Sequence, residues 1–176
     1  MIKIGDTRVQ IASRNDIKRI VETSKEPINI WVVHGSFSEP HEIDARVEYL
    51  EKNVRNYQAQ KFDDVSKLSH LKKTYWDEPT KRHVEQSMLW SHDMKSGGNW
   101  LFCCAAGVSR SSATAYTSLC GAGFSPEEAS RVWDPNKSWP NEIIVYYASE
   151  ILCNPEVYAV MEAWKKEHYD PFKSHR

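Results

Sequence analysis

The sequence predicts an α/β chain, and three observations carry that prediction. The run Ile28-Asn-Ile-Trp-Val-Val33 is apolar almost throughout, as expected of a parallel strand covered on both faces. A second apolar run, Trp100 to Cys103, leads through a loop of small residues into a helical pattern. Beyond that point the chain carries further helix starts at Pro126, Pro140-Asn141 and Pro155, each followed by helical spacing.

The 176 residues suffice for one domain with a proper core, and neither repeats nor a low-complexity linker divide them. Lys plus Arg (23) nearly balances Asp plus Glu (24), which argues against a nucleic-acid partner held by general electrostatics. No segment reaches the ~20 apolar residues of a membrane span, and the N-terminus lacks a signal pattern. Cys103, Cys104, Cys120 and Cys153 show neither zinc-ligand spacing nor the density of a disulfide scaffold. The expectation is a reducing cytoplasm, no metal and no cofactor. The composition gives no oligomeric state.

Along the chain, Met1 to Ile11 alternates loosely and suggests one or two short strands. Ser13 or Asn15 can cap a short helix through Val21, with Ile17, Ile20 and Val21 on one face. The strand Ile28 to Val33 ends at His34-Gly35, where the histidine reads as structural. Ser38 to Asn53 reads as surface loop and helix, and Tyr57 to Phe62 as a strand stopping at Asp63-Asp64. After a polar stretch from Ser66 to Pro79, Thr80 can cap a helix to about Lys95, with Val84, Met88 and Leu89 inward. Gly97-Gly98 leads into the strand before Cys104. Ser109 to Cys120 follows as a helix of small residues suited to close packing on a sheet. Ser125-Pro126 opens a helix to Trp133, Pro140-Asn141 another with Ile143, Ile144, Tyr147, Ile151 and Leu152 inward, and Pro155 a last one to His168.

The organising stretch is Cys104-Ala-Ala-Gly-Val-Ser-Arg110-Ser111. A small-residue loop between strand and helix can turn successive backbone N–H groups inward, and the helix N-terminus adds its positive end, so a dianion is its natural guest. The same field eases ionisation of the Cys104 thiol and makes it a nucleophile near neutral pH. Arg110 adds a planar fork that matches two phosphate oxygens, and Ser111 puts a hydroxyl near the sulfur.

The pattern Cys104-x-x-Gly107-x-x-Arg110-Ser111 resembles the signature of the cysteine-dependent protein tyrosine phosphatases, and the full string is most similar to the dual-specificity branch. The Pro140-Asn141 helix start resembles an element of the same branch. The segment 62–152 resembles a family of predicted bacterial tyrosine phosphatases. The resemblance, carried by about half the chain, implies a protein-tyrosine-phosphatase-like fold, a central, mostly parallel sheet flanked by helices, and the undivided length makes 1–176 one such domain. The resemblance also implies hydrolysis of phosphotyrosine in a phosphorylated protein or peptide through a phosphocysteine on Cys104, and leaves open whether phosphoserine or phosphothreonine is also a substrate. The backbone of Ala105, Ala106, Gly107, Val108, Ser109 and Arg110, with the Arg110 guanidinium and Ser111, would bind the phosphate.

The leaving oxygen needs a proton, and the resemblance implies an aspartate on a separate loop. Asp64 is favoured because it sits at a strand end; Asp63 beside it and Asp77 farther on are the alternatives, and at least two of the three are ordinary loop carboxylates. One departure from the family stands out: the histidine usual before the nucleophile is replaced by Cys103. This makes a vicinal thiol pair with a conceivable redox role, against which strand alternation should send the two side chains to opposite faces. Trp76, Trp133 and Trp139 suit an aromatic pocket wall, although core packing explains each of them as well. Two alternatives remain beside the phosphoprotein phosphatase. One is a phosphate-binding module without chemistry. The other is an RNA or phosphoinositide phosphatase on the same scaffold, which the absence of further basic residues in the loop disfavours.

Overall fold

A computed structural model of the chain describes residues 1–35, 54–65 and 77–168. The expectations for Ser38 to Asn53, for Ser66 to Tyr75 and for Trp76 lie outside those residues. The apolar runs form strands and the capped segments form helices, around a five-stranded sheet in the order β1-β2-β5-β3-β4. The strands are β1 (Ile2–Ile4), β2 (Thr7–Ser13), β3 (Ile28–His34), β4 (Asn56–Lys61) and β5 (Gly98–Cys104). Only the edge strand β1 is antiparallel; β2, β5, β3 and β4 run parallel. The helices are α1 (Ile17–Thr23), α2 (Lys81–Trp90), α3 (Arg110–Gly121), α4 (Pro126–Ser130), α5 (Glu142–Ile151) and α6 (Glu156–His168).

Alternation along the central strand β5 divides the core in two. Trp100, Phe102 and Cys104 join Trp31 and Val33 on the face covered by the later helices. Leu101 and Cys103 join Ile30, Val32 and Ala12 on the other face, under Ile17 and Ile20 of α1. Helix α3 is buried from Arg110 through Cys120. A helix enclosed on all sides must be thin to let its neighbours approach, which is why Ser, Ala and Thr fill it.

The helix opened by Thr80 departs from expectation. Thr80 caps it as predicted, with His83 completing a reciprocal capping box. It ends at Trp90 rather than Lys95, because the Ser91 hydroxyl folds back onto the Ser87 carbonyl (2.6 Å) and a 3-10 turn, Met94–Ser96, follows. Leu89 is 72% exposed, not inward. Helix α4 likewise stops at Ser130, short of Trp133. Strand β4 begins and ends one residue earlier than expected, although the Phe62 N–H still reaches the His34 carbonyl. Among the described residues no helix is long and apolar enough to cross a membrane.

Candidate active site

The parallel strands all end on one edge of the sheet, at Ser13, His34, Lys61 and Cys104. Ligand sites of open parallel sheets gather at this edge. Cys104 is the last residue of β5 and Arg110 the first of α3, so residues 105–109 form the loop between them.

The loop is braced from both sides. Gly107 has φ +70°, and a Cβ there would lie 2.4 Å from the carbonyl carbon of Ala12 and 2.5 Å from the Ser13 nitrogen. Only glycine lets the loop rest on the end of β2. The Ser13 hydroxyl adds a hydrogen bond to the Ala105 carbonyl (2.7 Å). From the opposite side, the Trp139 N–H donates to the Val108 carbonyl (3.0 Å) and the Asn141 N–H to the Ser109 carbonyl (3.4 Å).

Cys104 is buried, with its Sγ 3.2 Å from the Ser111 hydroxyl. Burial pushes the thiol up. The Ser111 hydroxyl, the backbone N–H groups of Ser111 and Val108, and the Arg110 charge together outweigh that, and the thiol lies below its ordinary value of 9.0. Arg110, 7% exposed, is held by its Nη1 on the Phe62 carbonyl (2.7 Å). Its buried Nε has no hydrogen-bond partner among the described residues. Phe62 in turn stacks on His83, with ring centroids 4.9 Å apart.

The three candidate aspartates separate by what they touch. Asp64 lies against the loop: its Oδ1 accepts from the Ser109 hydroxyl (2.7 Å) and from Asn141 Nδ2 (2.9 Å). Asp63 closes its own turn instead. Its Oδ2 accepts from the Asp77 N–H (3.1 Å), and its N–H donates to the Asp77 carbonyl (2.6 Å). Asp77 joins the turn through its backbone and is exposed. Asn141 links these parts, since its Oδ1 also caps α5 at Ile143 and Ile144 while Nδ2 reaches the Val65 carbonyl. The sequence marked Asn141 only as a helix start; its two long-range partners leave no local pattern.

Cys103 points away from the loop into the opposite core face, and burial pushes its thiol well above 9.0. Trp133 is a core residue, its indole N–H on the Ser112 carbonyl (3.0 Å) and its ring against Tyr116. Trp139 is 39% exposed beside the loop. Among the described residues no group of three His, Cys, Asp or Glu side chains converges to hold a metal ion.

No family model matches the sequence, and no curated protein matches it. Solved structures do match. Tk-PTP in its active form is 17% identical with a TM-score of 0.51, covering 88% of this chain and 93% of that one. PTPMT1 in complex with PI(5)P is 16% identical with a TM-score of 0.52, covering 95% of both chains. The signature from Cys104 to Ser111 thus stands at the strand-to-helix loop of a matching architecture, and the chain has the fold of the cysteine-based, dual-specificity-type phosphatases.

Proposed function

We propose that the chain is a phosphomonoesterase that hydrolyses phosphotyrosine, and also phosphoserine or phosphothreonine, in proteins or peptides through a phosphocysteine on Cys104. The observation that carries this reading is the Cys104 sulfur, lowered in pKa and 3.2 Å from the Ser111 hydroxyl, at the start of a loop closed by a buried arginine. The thiolate attacks phosphorus, the P–O bond to the leaving group breaks, and inward N–H groups with Arg110 hold the equatorial oxygens through the transition state. The Nε of Arg110, buried and without an acceptor among the described residues, supports this role, because such a donor is costly and an oxyanion would satisfy it.

Asp64 is the acid this geometry favours. Ser109 and Asn141 fix its Oδ1, and Oδ2 is then the oxygen that carries the proton to the leaving group. The resulting carboxylate takes a proton from water as that water hydrolyses the phosphocysteine and frees the Cys104 thiolate.

The test is turnover of p-nitrophenyl phosphate and a phosphotyrosine peptide without added metal. Wild type should hydrolyse both and Cys104→Ser neither. Asp64→Asn should lower peptide turnover by about 10²–10⁴-fold, the usual worth of a general acid, with Asp63→Asn and Asp77→Asn far less affected. Phosphate binding without turnover by reduced wild type would refute the enzyme. A second reading is a phosphoinositide phosphatase, favoured by the fold likeness to a protein solved with PI(5)P. Turnover of PI(5)P in mixed micelles well above that of the peptide would select it.

A further inference from the structure

We propose that Lys165, on the C-terminal helix α6, is a positioning residue for the loop that carries Cys104. The proposal rests on the phosphatase reading of that loop. Lys165 is only 8% exposed, a rare setting for a lysine. Its Nζ donates to Glu142 Oε1 at 3.0 Å and lies 5.0 Å above the centre of the Trp139 ring. These partners stand on either side of Asn141. Between them the chain makes three of the contacts that brace the loop from this side: Trp139 N–H on Val108, Asn141 N–H on Ser109, and Asn141 Nδ2 on Asp64. One buried ammonium therefore ties both ends of the segment whose middle holds the loop and the carboxylate beside it.

An apolar side chain would fill the same space with less desolvation, and a cation near the N-terminus of α5 opposes the helix dipole. Packing alone does not call for a lysine here. What the ammonium adds is direction, an ion pair to the first residue of α5 and a cation–π contact that orients the indole. Orientation matters because the indole is 39% exposed on the wall of an open groove of about 420 Å³, lined also by Tyr158 and Met161, so close packing does not by itself fix its direction.

The experiment compares wild type, Lys165→Met, Lys165→Arg and Glu142→Gln. It reads kcat and KM on p-nitrophenyl phosphate, and the pH midpoint of Cys104 alkylation by iodoacetamide, followed by peptide mapping. Lys165→Met should lower kcat about tenfold, since small misplacements of a reacting group are costly, and raise the alkylation midpoint. KM should move by less than about twofold, because a loop held slightly out of place loses reaction geometry more than binding. Lys165→Arg should restore most of both, and Glu142→Gln should repeat the methionine phenotype in part. A lowered melting temperature with wild-type kcat and midpoint in the folded protein would make Lys165 structural and overturn the proposal. Should Lys165→Met not fold, unchanged values in Glu142→Gln overturn it equally. Wild type without turnover would defeat the phosphatase reading alone, and a midpoint that still rises in Lys165→Met would sustain the positioning role.

Discussion

Cys103 and Cys104 are adjacent in the chain, both buried, and opposite in chemistry. Burial acts on both thiols in the same direction, upward. Cys103 lies among Ala12, Ile30, Val32 and Leu101, where the charges of Cys104 and Asp16 add to that push and no hydrogen-bond donor among the described residues offsets it. Cys104, one residue on, faces the turn of the loop, and there the Ser111 hydroxyl, two backbone N–H groups and Arg110 reverse it. The difference is not one of residue type or depth. It comes from the pleat, which sends one sulfur into side chains and the other into the open ends of backbone dipoles.

The largest consequence is selectivity of alkylation. Only the thiolate reacts, so iodoacetamide should modify Cys104 with a midpoint below pH 9.0, while Cys103 stays unmodified in the folded protein. The sign follows from linkage. A folded-state pKa below the unfolded one makes the Cys104 contribution to stability complete above pH 9.0, and it is lost as pH falls through the folded value. Peptide mapping that found Cys103 modified at the rate of Cys104 would break the comparison.

A smaller change should follow from Ser111→Ala. A hydrogen bond to a charged group is worth about 1.5–3 kcal/mol, so losing it should raise the Cys104 midpoint by about one to two pH units. The backbone donors and Arg110 remain, and the thiol should not climb to the level of Cys103. Cys103 belongs to the opposite core face, so its inertness should not change. A midpoint unmoved by Ser111→Ala would assign the whole effect to the loop backbone and Arg110.

Where information is local, the sequence displays the site. The proposed nucleophile, loop glycine, arginine and serine lie within eight residues, and the apolar run before them and the small-residue helix after them are patterns of neighbours. The alternation that parts Cys103 from Cys104 is also local, and the structure follows it. Contacts between distant segments were hidden. Asp63 and Asp64 are equivalent in sequence, and only their partners, Asp77 for one and Ser109 with Asn141 for the other, tell them apart. The inward placement expected of Leu89 failed for a similar reason. The pattern gives a helix its apolar residues but not which of them the neighbouring elements cover, and Leu89 lies on the uncovered side.

The smallest effect should come from Cys103→Val, and it tests whether the loop needs anything from the position before the nucleophile. The phosphatases that the loop signature resembles usually place a histidine there. Here that side chain meets Ala12 and Val32 across the neighbouring strands, inside a fully enclosed apolar cluster. Valine removes the thiol and adds about one methyl group to this enclosed site, so stability should fall by about 1–3 kcal/mol while the folded site keeps its chemistry. The Cys104 alkylation midpoint should stay where it is, because every group that lowers it lies on the other side of the strand. A midpoint raised as far as in Ser111→Ala would mean that Cys103 orders the loop from below, in place of the histidine. An unchanged one would mean that Ser111, the loop N–H groups and Arg110 suffice to activate the thiol without it.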